Sequence, residues 1–391
     1  MTDSKLPKIV VIGASFAGLH AATVISKLFS KYIGSITVIG PSTDAYYNVA
    51  APRILVRPDL FAAAVIPIEK NLAQMTGNKA KFVRGTVTKV ELDKKIINYK
   101  YPLPKNTAQS DPENVQTDSA EEVTAQDTLS YDIVIIATGT TTAFPAFKEN
   151  LDINAAKSSL LEINRVLNAN AKKVAVIGAG PTGVEVAGEI ASFFSSKEIT
   201  LFTGKTAPLI DYGLSAAATS QLTNLGVSIV NNVKAAGDQL TGLVTLPDGS
   251  TENFDVIINC FPKGPNSSFL PDSVLDSKKF VVTNGLQVKG YENSAFAIGD
   301  IVSGSPATLV DLKYGQSSLF FTSFRSLVSK WGTNDQPAEF PTYSPFKKII
   351  VVPIGPNGGV GRIYFVRLPS FLVKFIKSKS FMIENTRSFF E

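Results

Sequence analysis

The sequence predicts an α/β chain of two Rossmann-like dinucleotide-binding units followed by a C-terminal α+β segment. Two observations carry this. A β-branched run at Lys8–Ile12, the glycine-rich turn Gly13–Gly18, a helical pattern over Leu19–Phe29 and an apolar run at Ile36–Ile39 follow one another. Strand, turn, helix, strand is the pattern of a parallel sheet. The same order restarts at Lys173–Ile177, with the turn Gly178–Gly183, a helix through Phe194 and a strand at Glu198–Phe202, which makes the chain an internal repeat.

The remaining elements fit around these two units. Phe82–Val90 and Lys95–Tyr99 read as strands of a hairpin or meander turning at Asp93-Lys94. Residues 101–129, rich in Pro, Asn, Ser, Gln and acids, read as a long surface loop. Tyr131–Gly139 closes the first unit as a buried strand ending in a tight turn, and Phe254–Asn259 takes that place in the second. Ala295–Asp300 and a helical stretch over Leu309–Lys330 come next, then two apolar runs around Gly355–Gly361 that read as a hairpin. The expected division is a discontinuous first domain of residues 1–165 and 264–335, a second domain of 166–263 inserted in it, and a terminal interface segment of 336–391.

Composition narrows the chemistry. The 391 residues are 44% hydrophobic and 18% charged, a globular balance for more than one core. Lys and Arg exceed Asp and Glu, 38 to 33, for a formal charge of +5, which alone selects neither anionic cofactor, membrane nor nucleic acid. The lysines are scattered without an interleaved aromatic stripe, so a nucleic-acid partner is not expected. Cys260 stands alone, which excludes an internal disulfide and any reaction run by an internal cysteine pair. His20 is the one histidine, and with no Cys/His cluster no metal site is expected.

In such turns the first glycine permits the bend, the second lets the backbone approach a pyrophosphate, and the third lets helix and strand pack closely. The amides at the helix N-terminus face the anion. Gly178, Gly180 and Gly183 give the complete set. In the first turn, Gly13, Ala14, Ser15, Phe16, Ala17 and Gly18, serine holds the middle place and is small enough for a phosphate to come near. The acid that usually ends the second strand and bonds the adenosine ribose is missing from both units, which read Ile39-Gly40-Pro41 and Phe202-Thr203-Gly204-Lys205. Lys205 is either a seat for a 2′-phosphate or a solvated loop residue, so NADH and NADPH both stay open.

Further pieces run nearly end to end: Asn48-Val49-Ala50-Ala51-Pro52-Arg53, Ile136-Ala137-Thr138-Gly139, Gly183-Val184-Glu185-Val186-Ala187-Gly188-Glu189-Ile190, Leu286-Gln287-Val288, Ala297-Ile298-Gly299-Asp300 and Asn357-Gly358-Gly359-Val360-Gly361. With them the chain resembles the apoptosis-inducing-factor-homologous and ferroptosis-suppressor-like flavoproteins. These are FAD-dependent NAD(P)H:quinone oxidoreductases on a pyridine nucleotide-disulfide reductase-like fold. The resemblance implies that the turn from Gly13 to Gly18 holds the FAD pyrophosphate, with Thr138 and Gly139 also at the cofactor. It implies that Arg53 lies against the FAD, that Val87 offers its backbone to the adenine and that Asp300 accepts from a ribityl hydroxyl. Gly178, Gly180 and Gly183 would bracket the pyrophosphate of NADH or NADPH, with Glu189 near the nicotinamide–flavin junction. Lys313 and Gln316 would lie by the isoalloxazine edge. A quinone-like small acceptor would take the electrons.

Other readings stand beside these. Arg53 could sit in a surface salt bridge, Asp300 could cap a turn, Glu189 could pair on its own helix, and Cys260 could be a small core thiol. Cys260-Phe261-Pro262 replaces the Thr-Gly turn of the second unit and changes the nicotinamide-side contour. The alternative function is a redox-sensing, apoptosis-inducing-factor-like signalling flavoprotein, and a disulfide or peroxide reductase is a rival on the same scaffold. Pro369 is expected to start a helix with Phe371, Leu372, Phe375 and Ile376 on one face and Lys374, Lys377 and Lys379 beside it. Docking of that face on the chain's own core or a partner is the expectation, peripheral membrane contact the alternative, and a homodimer is left open. Thr2 is no myristoylation site, no signal-peptide apolar region opens the sequence and no apolar run spans a bilayer. The expected setting is cytoplasmic, peripheral on a lipid droplet or mitochondrial membrane, and not secreted.

Overall fold

A computed structural model of the chain describes residues 6–103, 124–148, 153–333 and 342–391. At its centre is a seven-stranded sheet in the order Thr283–Asn284, Gln287–Val288, Ala295–Ala297, Ile133–Ile136, Lys8–Ile12, Ser35–Gly40, Ala80–Arg84. From Ala295–Ala297 to Ala80–Arg84 all neighbours are parallel. The runs at Ile9–Ile12 and Ile133–Ile136 are apolar without alternation because both faces of these strands are buried.

The turn into the Phe16–Leu28 helix explains two of its glycines. Gly13 has φ +112°, and a Cβ there would lie 2.4 Å from the Ala137 carbonyl oxygen; a Cβ on Gly18 would lie 1.8 Å from the Gly13 oxygen. No side chain fits at either place.

The second unit repeats the plan with four parallel strands in the order Ser228–Val230, Glu198–Phe202, Lys173–Ile177, Val256–Asn259, and with the helix Pro181–Phe193. The two units are stitched where the chain leaves each closing strand: Thr140–Thr142 runs antiparallel to Pro262–Pro265.

Two expectations about the intervening region are corrected. Phe82–Val90 is not one strand. It breaks at Gly85, whose amide donates to the Gly40 carbonyl at 2.8 Å and whose missing Cβ makes room for the Tyr99 ring. Ala80–Arg84 therefore joins the parallel sheet, while Thr86–Glu91 opens a meander with Ile96–Pro102 and Thr124–Ser130. The polar run thus ends in a mostly exposed strand, and its residues 104–123 lie outside the described residues.

The tail hairpin forms from Ile349–Pro353 and Gly359–Ile363, extended by Val366–Leu368. It crosses the Pro181–Phe193 helix at Gly188, where a Cβ would come within 2.9 Å of Ile354 Cα. A helical turn at Ser370–Val373 widens into a π turn at Lys374–Ser378 and is followed by a 3₁₀ stretch, Ile383–Phe389. Val373 and Ser378 point inward, but of the two expected seats for Phe371, Leu372, Phe375 and Ile376, the chain's own core or a partner, the core is not used; in this chain they are exposed. Among the described residues no helix is long and apolar enough to cross a membrane.

Candidate functional site

A cavity of about 540 Å³ opens over the first glycine turn, a size within the range of small-molecule and cofactor sites. Gly13, Ala14, Ser15, Val87 and Thr138 line it. Ser15 precedes the Phe16–Leu28 helix without a side-chain capping bond, and the first turn carries no acid. That leaves the dipole and first amides to an anion. The absent ribose acid has a steric cause, since a Cβ on Gly40 would lie 2.8 Å from Ala14 Cβ. Asp44 brings a carboxylate to the cavity instead, accepting from the Thr43 hydroxyl at 2.8 Å.

Thr138 and Gly139 are fastened to Asn266. Its side-chain amide donates to the Thr138 carbonyl at 2.9 Å, and its backbone amide donates to the Gly139 carbonyl at 3.0 Å. Asp300 follows Gly299, which packs against Ala17, and forms an ion pair with Lys148. Lys148 lines the cavity and also donates to the Thr140 hydroxyl at 3.1 Å. Gln316 lies beneath this turn, where its Oε1 accepts from the Gly299 amide at 2.6 Å while its Nε2 donates to Asp311 at 2.7 Å. Its observed role is to hold the Gly299-Asp300 turn.

The second glycine turn is built alike. A Cβ on Gly183 would lie 1.7 Å from the Gly178 oxygen, while Gly180 has nothing within 4 Å of where its Cβ would be, so the turn presents open backbone at its middle position. The Leu209 amide donates to the Ala179 carbonyl at 3.1 Å, drawing the loop after Glu198–Phe202 up to the turn. On that loop Lys205 pairs with Asp211, and the Lys234 side chain flanks Gly204. Cys260 is anchored by its amide to the Ile177 carbonyl at 2.8 Å, and burial pushes its thiol up, away from the reactive thiolate.

Where the Ala51–Val56 segment packs on the Pro181–Phe193 helix lies a buried ion-pair cluster. Arg53 is not in the wall of the cavity; its Nε and Nη2 meet both oxygens of Glu189, the Nη2–Oε1 distance being 2.9 Å. Arg53 also donates to the Lys379 carbonyl at 3.0 Å and the Ser378 carbonyl at 2.8 Å. One turn earlier on the same helix, Glu185 accepts from Lys377 Nζ at 2.6 Å. Burial pushes both carboxyls up, with Lys377 and Arg53 respectively opposing it. The salt bridge weighed for Arg53 therefore exists, buried rather than on the surface, and it joins the first unit, the second unit and the tail.

The tail then wraps the start of the first helix. Phe390 stacks on Phe16 with centroids 4.5 Å apart, Phe389 stacks on Tyr47 at 4.9 Å, and His20 Nδ1 lies 2.9 Å from the Glu391 carbonyl oxygen. Lys313 donates to the Ser388 carbonyl at 3.1 Å and sits 5.7 Å from the Phe389 ring. Sequence reading missed Lys148, Glu185 and Lys377 as site residues. Glu185 had a readable signal, because two glutamates one turn apart in an otherwise apolar helix need buried partners. Lys148 and Lys377 had none.

The protein-family model for pyridine nucleotide-disulphide oxidoreductases matches residues 7–312. Oxidoreductase ptaL of Pestalotiopsis fici is 31% identical over 96% of both chains. Ferroptosis suppressor protein 1 of Xenopus tropicalis is 24% identical over 97% of this chain and 94% of its own. Among solved structures, the sulfide:quinone oxidoreductase of Aquifex aeolicus superposes with a TM-score of 0.69 at 14% identity, covering 98% of this chain and 92% of that one. NDH2 of Plasmodium falciparum in complex with NADH does so with a TM-score of 0.67 at 16% identity, covering 99% and 98%. With two glycine turns of the same build and this match over most of its length, the chain belongs to the pyridine nucleotide-disulphide oxidoreductase family.

Proposed function

We propose that the protein is an FAD-dependent oxidoreductase that takes hydride from NADPH and hands electrons to a quinone-like acceptor. One observation carries the reading: the helix that leaves the second glycine turn pairs, through Glu189, with Arg53 of the unit that holds the first, so a buried contact locks the two dinucleotide units together. The residues present fit both dinucleotides. Gly13, Ser15 and the start of the Phe16–Leu28 helix would hold the FAD pyrophosphate, with Lys148 in the cavity wall and Asp300 paired to it, and Gly178–Gly183 would hold that of NADPH. Bound there, FAD supplies the chemistry, accepting hydride from nicotinamide and releasing electrons to the acceptor.

The chain's part is orientation and charge. Lys148 places a cation at the cavity, balanced by Asp300, and Gln316 fixes the turn that carries Asp300. Lys234, flanking Gly204, and Lys205, exchanging Asp211 for the ligand, would meet a 2′-phosphate at a strand end that carries no acid, and that supports NADPH over NADH. A quinone needs no protein nucleophile, which agrees with a lone half-buried thiol held protonated, and a fold relative is named a sulfide:quinone oxidoreductase. Anaerobic titration of the flavin-loaded protein tests the proposal. NADPH bleaches the flavin, NADH does so less efficiently, and a short-chain ubiquinone analogue restores the colour. A flavin unmoved by both nucleotides overturns it.

A further inference from the structure

We infer that the protein seats itself on an anionic lipid surface through the exposed aromatics of the tail, those on its Tyr364–Phe365 turn and those on the helix that follows. The hairpin turns at Tyr364 and Phe365 and re-enters at Val366; Phe365 is 94% exposed. The next helix adds Phe371, 59% exposed, and Phe375, 75% exposed, with Ile376 beside them. Single exposed hydrophobics are ordinary, but three largely exposed phenylalanines within residues 365–375, two of them one helical turn apart, make a segment suited to an apolar neighbour. Both elements are held from behind. Val373 is fully buried, and Ser378 Oγ donates to the Gly358 carbonyl at 2.7 Å, so the apolar face cannot roll inward without breaking these.

Charge selects the occupant. Residues 342–383 contain no Asp or Glu, while Lys347, Lys348, Arg367, Lys374 and Lys379 all lie there. Lys348 sits 5.5 Å from the Tyr364 ring, bringing a cation to the hairpin tip. A second copy of the same face would set these cations against each other, whereas anionic headgroups neutralise them as the aromatics enter the headgroup–acyl boundary. The occupant is therefore an anionic bilayer rather than another copy of this chain.

The test is flotation of the full-length, flavin-loaded protein with phosphatidylcholine vesicles that contain or lack phosphatidylserine. The protein floats with the phosphatidylserine vesicles, less so as salt rises, and weakly with phosphatidylcholine alone. Phe365→Ser with Phe375→Ser weakens partitioning about a hundredfold, about tenfold for each aromatic kept from the apolar phase, while flavin content and reduction of a water-soluble quinone stay unchanged. Lys347→Gln with Lys348→Gln abolishes the preference for phosphatidylserine and leaves the fold intact. Three outcomes overturn the inference: no flotation, flotation indifferent to these substitutions, or a concentration-dependent dimer in sedimentation that the Phe365/Phe375 variant dissociates.

Discussion

Replacing Glu189 by Gln tests the ion-pair cluster most directly. The substitution keeps the shape and removes the charge. Arg53, 5% exposed, retains the Ser378 and Lys379 carbonyls but loses its only close anion among the described residues. Stranding a buried charge in this way costs about 3–5 kcal/mol, a large share of the roughly 5–15 kcal/mol that holds a typical domain folded. Arg53→Leu strands Glu189 instead, but not symmetrically, since a carboxyl can take up a proton and a guanidinium cannot release one. Burial already pushes Glu189 up, and removing the cation pushes it further. A raised carboxyl contributes stability that is fully present below its unfolded value and is lost as pH rises through its folded value. Arg53→Leu should therefore be milder at about pH 5 than at about pH 8, while the deficit of Glu189→Gln should hardly change. Arg53→Leu with Glu189→Leu should recover most of the loss, giving a coupling well above about 1 kcal/mol in a double-mutant cycle. The assay is urea unfolding of the flavin-loaded protein followed by flavin fluorescence, with tryptic release of the tail in parallel. Single variants within about 1 kcal/mol of the parent, or a double variant as weak as the sum of the singles, would refute the reasoning.

The two glycine turns should separate by function. Gly18→Ala, whose Cβ would lie 1.8 Å from the Gly13 oxygen, yields protein without flavin; Gly183→Ala, at 1.7 Å from the Gly178 oxygen, keeps the flavin but loses its reduction by NADPH. Flavin loss in both would show that the turns do not divide the cofactors. His20, the one histidine, gives one pair of imidazole C–H signals in proton NMR, and their midpoint should lie below that of a free imidazole. Burial lowers it, the Glu391 carbonyl opposes, and Lys313 and Lys27 lower it further. The stability this contributes is present above the ordinary imidazole value and is lost as pH falls through the folded one, so tryptic release of the tail should speed up on acidification; a midpoint at or above the free value refutes this. Cys260→Ser should leave acceptor reduction within about twofold of the parent, because burial holds the thiol protonated. A loss of about a hundredfold or more would restore thiol chemistry as a contender.

What the sequence made legible is what local backbone geometry compels. Gly13, Gly18, Gly178 and Gly183 are glycine because a Cβ has no room, and that demand is written at fixed spacing beside strands buried on both faces. What it hid depends on distant chain segments. Glu185 and Lys377 are 192 residues apart, and Lys148 reaches Asp300 across 152, so no spacing rule joins them. Thr124–Ser130 escaped because an exposed strand paired on one side needs no apolar alternation. The break at Gly85 escaped because a single β-branched run serves two sheets. Arg53 and Glu189 were both singled out from the sequence, yet their meeting was not, since Arg53 was set against the FAD and Glu189 at the nicotinamide–flavin junction, each facing a cofactor rather than the other.

That meeting bears on the tail as well as on the two units. A buried ion pair stabilises little against an apolar alternative, because desolvation offsets most of the attraction; what it supplies is a unique arrangement. Arg53 directs its remaining donors to the main-chain carbonyls of Ser378 and Lys379, and Lys377 reaches back to Glu185. These bonds fix the rotation of the Lys374–Ser378 turn about its own axis. With Lys377 and Ser378 committed inward, the pitch of the turn leaves Phe375 and Ile376 facing out. Left to the hydrophobic effect alone, a segment this apolar would bury those side chains against the core. The cluster that joins the two dinucleotide units thus also holds the aromatic face toward solvent, and a change in one is transmitted to the other through only two or three residues of backbone.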